Sequence, residues 1–199
     1  MERQEKTKEE WFELGRKYHE NEEYQKAVSA YRHVVRIDRN NFHVWHNLGL
    51  ALRFLGKLDD ALKAFNTAQS LDPGNGEIYI QQGLILIGQE EKNQQAVNKF
   101  EKAFESGLES DNQMVAHIGM GISYLNLDKP DDAISNFDAA LQIENKNLPA
   151  LTMKAGALLT RGDFSIAKTV IDEALKIDPE DEEALKILEM VESALRSTD

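Results

Sequence analysis

The chain has 199 residues, of which 41% are hydrophobic, 29% are charged and none is cysteine. The hydrophobic share is enough to bury a core, which excludes a wholly disordered chain, and the lack of cysteine excludes disulfides and thiol catalysis. The formal net charge of −12 argues against nucleic acid and anionic membranes as partners, because an acidic surface repels a polyanion. Residues 1–75 hold 12 acidic and 12 basic side chains, so residues 76–199 carry the whole net charge. We interpret this acidic part as a solvating surface, with attraction of a basic partner segment as the alternative.

The N-terminal sequence MERQEKTKEE is polar and charged, unlike a signal peptide. No apolar run approaches the roughly 20 residues that are needed to span a bilayer. The absence of cysteine fits a reducing compartment. Together these features predict a soluble protein in the cytoplasm.

Residues 8–41 and 42–75 carry one pattern twice, and the second copy is the clearer. Its markers are Trp45, Leu48, Gly49, Leu52, Gly56, Ala61, Phe65, Ala68 and Pro73. The small residues Gly49 and Ala61 allow two helices to approach closely. Gly56 ends the first helix, and Pro73 cannot continue the second. The pattern therefore predicts a packed pair of helices in each copy.

Three further copies and a final helix follow. The copy at 76–113 is degenerate, since Gln82 stands where leucine is usual, and the next two lie at 114–147 and 148–181. Residues 181–197 then form one amphipathic helix. The alanine of each second helix recurs at intervals of 34, 35, 37 and 34 residues, at Ala27, Ala61, Ala96, Ala133 and Ala167.

An aromatic residue, a Leu-Gly pair and a period of 34 residues resemble the tetratricopeptide-repeat (TPR) family over essentially the whole chain. The resemblance implies an all-α fold: a right-handed α-α superhelix, or TPR solenoid, of five helix pairs in a single array. The final helix is expected to cap the array, because the last repeat would otherwise expose its apolar face.

Residues with catalytic or metal-binding chemistry are sparse. His43 and His46 lie three apart on one predicted helix, with His19 and Glu77 at neighbouring positions of adjacent repeats. That spacing suits metal ligands, but nothing else completes a coordination sphere, so we interpret them as polar groove or surface residues. No nucleophile elbow, phosphate loop or acidic metal loop is recognisable. The sequence therefore predicts no enzyme activity, no metal and no cofactor.

In the TPR family the first helix of each pair lines a concave groove where partners bind. The matching positions here form the predicted partner-binding groove: Phe12, Arg16, His43, His46, Asn47, Leu50, Arg53, Phe54, Glu77, Ile80, Gln81, Leu84, Ile87, Ile118, Ile122, Leu125 and Met153. The row is charged and aromatic at first and largely apolar from Ile80 onward. The apolar part has two open interpretations. Its residues either contact one another in the core or form a groove for a partner segment, for which Gly119 and Gly156 would leave room.

One TPR subgroup binds acidic C-termini through a clamp of Lys, Asn and Arg side chains. Of the matching positions in this chain only Asn47 agrees, and Glu77 has the wrong sign to hold a carboxylate. The resemblance therefore does not extend to that clamp.

These observations predict a non-catalytic protein-protein interaction scaffold. Its partner is another protein, bound in the groove as a peptide or amphipathic helix of basic or apolar character, and not nucleic acid or membrane. The alternative is a structural, self-associating module that forms homo-oligomers.

Overall fold

The computed structural model describes residues 6–198. This part of the chain folds into eleven α-helices and one short 3-10 helix, Glu90–Lys92. The α-helices are α1 (Lys8–Glu20), α2 (Tyr24–Ile37), α3 (Phe42–Phe54), α4 (Leu58–Leu71), α5 (Gly76–Ile87), α6 (Asn93–Glu105), α7 (Ser110–Asn126), α8 (Pro130–Ile143), α9 (Leu148–Arg161), α10 (Phe164–Ile177) and α11 (Glu182–Thr198). Two helices correspond to each predicted repeat and α11 to the predicted cap, which confirms the all-α fold.

The helices group into two compact units, Met1–Ile85 and Leu86–Asp199, which we call unit 1 and unit 2. The boundary falls two residues before the end of α5. Each unit contains its own cluster of buried hydrophobic residues. The single array that the sequence predicts stays a prediction.

The helices end where the sequence places their stop signals. Gly56 follows α3 with a φ of 71°, and Gly162 caps α9 with a φ of 94°. Both values lie in the left-handed region that glycine adopts without steric cost. Pro130 is the first residue of α8, where its missing N–H removes no helical hydrogen bond.

The start of α7 differs from the prediction. The fourth repeat was expected to begin at residue 114, but α7 begins at Ser110. The acidic Asp111 lies in its first turn, where the helix dipole favours a negative charge. The extra residues of this connection therefore lengthen a helix instead of a loop.

Within three of the predicted helix pairs, a glycine of the first helix contacts an aromatic ring of the second. A Cβ atom added at Gly49 would lie 2.7 Å from Cε1 of Phe65, closer than real side chains approach. The same contact joins Gly15 to Tyr31 and Gly121 to Phe137. The predicted close approach of paired helices at Gly49 is thus confirmed, and its cause is a buried ring.

Gln82 of α5, the departure from leucine in the third repeat, is fully buried. Its Nε2 donates hydrogen bonds to Asn66 Oδ1 at 2.8 Å and to Gln69 Oε1 at 2.9 Å, both on α4. A polar contact therefore replaces an apolar one where α4 and α5 meet in unit 1.

In unit 2, α11 packs against α9 and α10. Ala184 and Val191 on its inner side are fully buried, whereas Leu185 and Met190 are 43% and 51% exposed. The backbone N–H of Ala184 donates to Asp181 Oδ1 at 2.7 Å, which satisfies one free donor at the start of the helix. The helix covers the end of the α9–α10 pair as the predicted cap should.

Candidate functional site

The first helices of the two pairs in unit 1, α1 and α3, lie next to each other and enclose a shallow cavity of about 160 Å³. Its floor includes the buried ring of Tyr31, and its rim is polar. The lining residues are Arg16, His19, Glu20, Tyr31, Asn47 and Leu50. Three residues of the predicted groove, namely Arg16, Asn47 and Leu50, thus come together.

An aromatic cluster continues the cavity towards the end of α3. The rings of Tyr24 and Phe54 are stacked, with centroids 4.8 Å apart, and the His19 ring meets both edge-on at 5.3 and 5.6 Å. Burial lowers the pKa of His19 below its usual 6.5, which favours the neutral imidazole at pH 7. Phe54 is 52% exposed, so this cluster presents an apolar ring to solvent.

The two arginines beside this cluster differ in their pairing. Arg16 lies 3.3 Å from a carboxylate oxygen of Glu13 and 3.6 Å from one of Glu20. Arg53 forms no ion pair within 4.0 Å among the described residues, and its Nε is buried without a hydrogen-bond partner. Its guanidinium carbon lies 4.9 Å from the centroid of the Phe54 ring, in cation–π range. Burial lowers the pKa of Arg53.

We call this surface the α1–α3 face and define it by seven residues: Arg16, His19, Tyr24, Asn47, Leu50, Arg53 and Phe54. Tyr24 had not been assigned to the groove, because it begins the second helix of its pair. A sequence signal for this contact does exist. Tyr24 begins the second helix of the first repeat, and another aromatic residue, Phe54, ends the first helix of the second repeat.

His46 and Glu77 also approach each other in unit 1, with Nε2 and Oε1 3.3 Å apart. This contact with the His46 imidazole lowers the pKa of Glu77, while burial opposes the shift. The approach of the two atoms lacks the geometry of a hydrogen bond. His43 is exposed at the start of α3. Within residues 6–198 no three His, Cys, Asp or Glu side chains are grouped to hold a metal ion.

The other predicted groove residues of unit 1 are less accessible. Phe12 packs partly buried against the core, with its ring 6.0 Å from that of Tyr31. Gln81 keeps a buried Oε1 without a hydrogen-bond partner, and Leu84 is half-buried. Ile80 is only 2% exposed, so its assignment to the groove is corrected here: its side chain is part of the protein core.

In unit 2 the predicted apolar residues are half-buried. Ile87 is partly exposed at the end of α5. Four more pack partly buried against the core of this unit: Ile118, Ile122, Leu125 and Met153. Core contacts, one of the two interpretations left open, account for much of their surface.

The two glycines of this row differ in the space beside them. A Cβ added at Gly119 would lie 2.4 Å from Cζ of Phe100, and one added at Gly156 would lie 3.5 Å from Cδ1 of Ile187. Gly119 therefore accommodates an aromatic ring of α6, and Gly156 faces the capping helix α11. The expectation of room for a ligand is corrected for Gly119, because the ring of Phe100 already occupies that space. At Gly156 the single contact would still admit a methyl group, so the expectation stays a prediction there.

Comparison with protein families agrees with this fold. Three models described as tetratricopeptide repeat match residues 11–41, 43–75 and 124–191, together about two thirds of the chain. The chain therefore belongs to the tetratricopeptide-repeat family, whose members are protein-interaction scaffolds and are generally non-catalytic. The three matches leave out residues 76–123, which contain the degenerate third repeat.

Individual proteins resemble the chain over most of its length. It is 29% identical to the TPR repeat-containing protein MJ1428 of Methanocaldococcus jannaschii, over 96% of this chain and 33% of that protein. It is 24% identical to the BBSome complex member BBS4 of Bos taurus, over 72% of this chain and 27% of that protein. The chain thus spans a third or less of the length of the curated relatives it matches first.

Among solved structures, that of PilW, a type IV pilus biogenesis factor, superposes with a TM-score of 0.85. The two chains are 18% identical, and the match covers 96% of this chain and 87% of PilW. This likeness supports the fold. In the part of the chain that the structure describes, no helix is both long enough and apolar enough to cross a membrane.

Proposed function

We propose that the protein is a non-catalytic scaffold that binds a peptide or an amphipathic helix of a partner protein on the α1–α3 face of unit 1. The observation that carries this proposal is the exposed ring of Phe54, fixed by stacking on Tyr24 and by contact with His19. A large apolar ring that is exposed yet held in place is typical of the anchor residues of protein interfaces.

The surroundings of Phe54 suit a peptide ligand. The cavity between α1 and α3 offers an apolar contact at Leu50 and a side-chain amide at Asn47, which can bond to peptide backbone. Because both helices are already packed in place, a ligand would lose little free energy to ordering of the scaffold. BBS4, a relative, is named as a member of a protein complex, which also supports a partner protein.

The test is to select peptides from a display library on the 199-residue chain and to measure their affinity for two variants. Phe54→Ala should weaken the selected peptides about tenfold or more, because it removes the exposed anchor. Ile37→Ala is the matched control, since Ile37 is another exposed apolar residue of unit 1, on α2, and is 59% exposed. Equal affinity of the peptides for wild type and Phe54→Ala would reject the α1–α3 face as the binding surface.

Self-association is the second candidate, and it is favoured by the exposed Leu185 and Met190 on α11. These residues would meet the same residues of a second copy in a symmetric dimer. Sedimentation at rising concentration separates the two candidates. A chain that stays monomeric at high concentration rejects self-association. A wild-type dimer that the Leu185→Lys substitution converts to a monomer supports it.

A further inference from the structure

Arg53 differs from Arg16 in having no counter-ion among the described residues, although one of its nitrogens is buried. Arg16, the other arginine of the α1–α3 face, has two carboxylates within 3.6 Å. Arg53 has none within 4.0 Å among residues 6–198, and its Nε makes no hydrogen bond although it is buried. A partly desolvated guanidinium is costly to fold unless something compensates its charge.

We propose that Arg53 is the receptor for a carboxylate of the bound partner, an aspartate or glutamate that lies next to an apolar residue of the same segment. The proposal rests on the proposed function of the α1–α3 face. The carboxylate supplies the missing counter-ion, and the neighbouring apolar side chain packs on the exposed ring of Phe54.

The geometry around Arg53 favours a carboxylate. Its guanidinium carbon lies over the face of the Phe54 ring, in cation–π range. Burial lowers the pKa of Arg53, as expected for a cation that no carboxylate stabilises. Arg53 as a whole is half-buried, so part of the residue remains open to solvent. A planar guanidinium matches the two oxygens of a carboxylate better than any other common peptide group.

The ligand that suits Arg53 differs in charge from the partner that composition favours. The net negative charge of residues 76–199 favours a basic segment, but that charge lies outside the α1–α3 face. On the α1–α3 face itself, the charged group without a counter-ion is the cationic guanidinium of Arg53, which suits an acidic ligand. The site also differs from the carboxylate clamp of the TPR subgroup, because Arg53 does not occupy a clamp position.

The test uses two synthetic peptides, acetyl-Leu-Glu-Phe-amide and acetyl-Leu-Gln-Phe-amide, titrated into the 15N-labelled 199-residue chain and followed by NMR. The glutamate peptide should bind about tenfold more tightly than the glutamine peptide, since only the former makes a charge-assisted pair. It should also shift the Nε–Hε signal of Arg53, which is identified by its loss in Arg53→Lys.

Variants of two arginines complete the test. Arg53→Gln should bind both peptides equally, whereas Arg36→Gln, a change at an exposed arginine of α2, should keep the preference for glutamate. Equal binding of both peptides to wild type, with shifts at Leu50 and Phe54, would overturn the role of Arg53 and leave the proposed face intact. If neither peptide shifts any signal of that face, both proposals fail. The wild-type comparison decides the question even if a variant folds poorly.

Discussion

Glycine positions in this fold are set by the rings that lie against them. Gly49 contacts the buried ring of Phe65, where an added Cβ would approach to 2.7 Å, whereas the nearest atom at Gly156 is a side-chain methyl of Ile187 at 3.5 Å. The two glycines both lie inside helices, in α3 and α9, and so differ mainly in the space beside them.

That difference predicts opposite effects of one substitution. Gly49→Ala should lower the free energy of unfolding by about 1–3 kcal/mol, because the ring of Phe65 cannot move without disturbing the core. Gly156→Ala should raise it by about 0.5–1 kcal/mol, because alanine is the better helix former and meets an ordinary van der Waals contact. Urea denaturation followed by circular dichroism measures both. A destabilised Gly156→Ala would show that the space beside α9 is tighter than the structure indicates.

The sequence predicts tightly packed residues well when they belong to the TPR pattern and poorly when they do not. The close approach at Gly49 follows from the TPR pattern, whereas the contact of Gly119 with Phe100 has no counterpart in that pattern. Ile80 was assigned to the groove with core contacts as the open alternative, and its side chain is buried. Its position in the repeat predicts an inner-face residue, but burial depends on which neighbours surround it, and spacing along the chain does not specify them.

At the scale of helices, the terminal helix α11 shows how a repeat protein ends. Its inner side carries the fully buried Val191, and the adjacent Met190 is 51% exposed. Unit 2 therefore depends on one face of this helix while the other face contacts solvent.

These neighbouring residues provide a matched test of the cap. Val191→Ala should destabilise unit 2 by about 1–3 kcal/mol, through lost burial and the cavity left behind. Met190→Ala should change the stability by less than about 0.5 kcal/mol, as exposed substitutions usually do. Thermal unfolding of the two variants beside wild type gives the comparison. Similar losses for both would mean that α11 does not pack as described.

Helix existence could be predicted from the sequence, but some boundaries could not. All five pairs and the cap were expected, since the period of 34 residues fixes where each pair lies. The start of α7 at Ser110 was not expected, because the added residues of the third repeat are compatible with either a longer loop or a longer helix. The acidic Asp111 in the first turn favours the longer helix.

At the scale of the whole molecule, the two units differ in what they offer a partner. Unit 1 has the α1–α3 face, where Arg16, Asn47 and Leu50 line one cavity and Arg53 lies over the ring of Phe54. In unit 2 the apolar residues of the predicted groove are packed partly into its core. The family and the helix order were predictable from the repeats, whereas the exposed and stacked state of Phe54 required the structure.

The central claim is that the α1–α3 face is where a partner protein binds. The most direct measurement is photo-crosslinking in the cells that make the protein, with benzoylphenylalanine in place of Phe54 and, separately, in place of Ile37. Both positions are exposed in unit 1, but only position 54 belongs to the α1–α3 face. The account therefore predicts a discrete crosslinked partner from position 54 and none from position 37. A partner captured from position 37 and not from position 54 would contradict it.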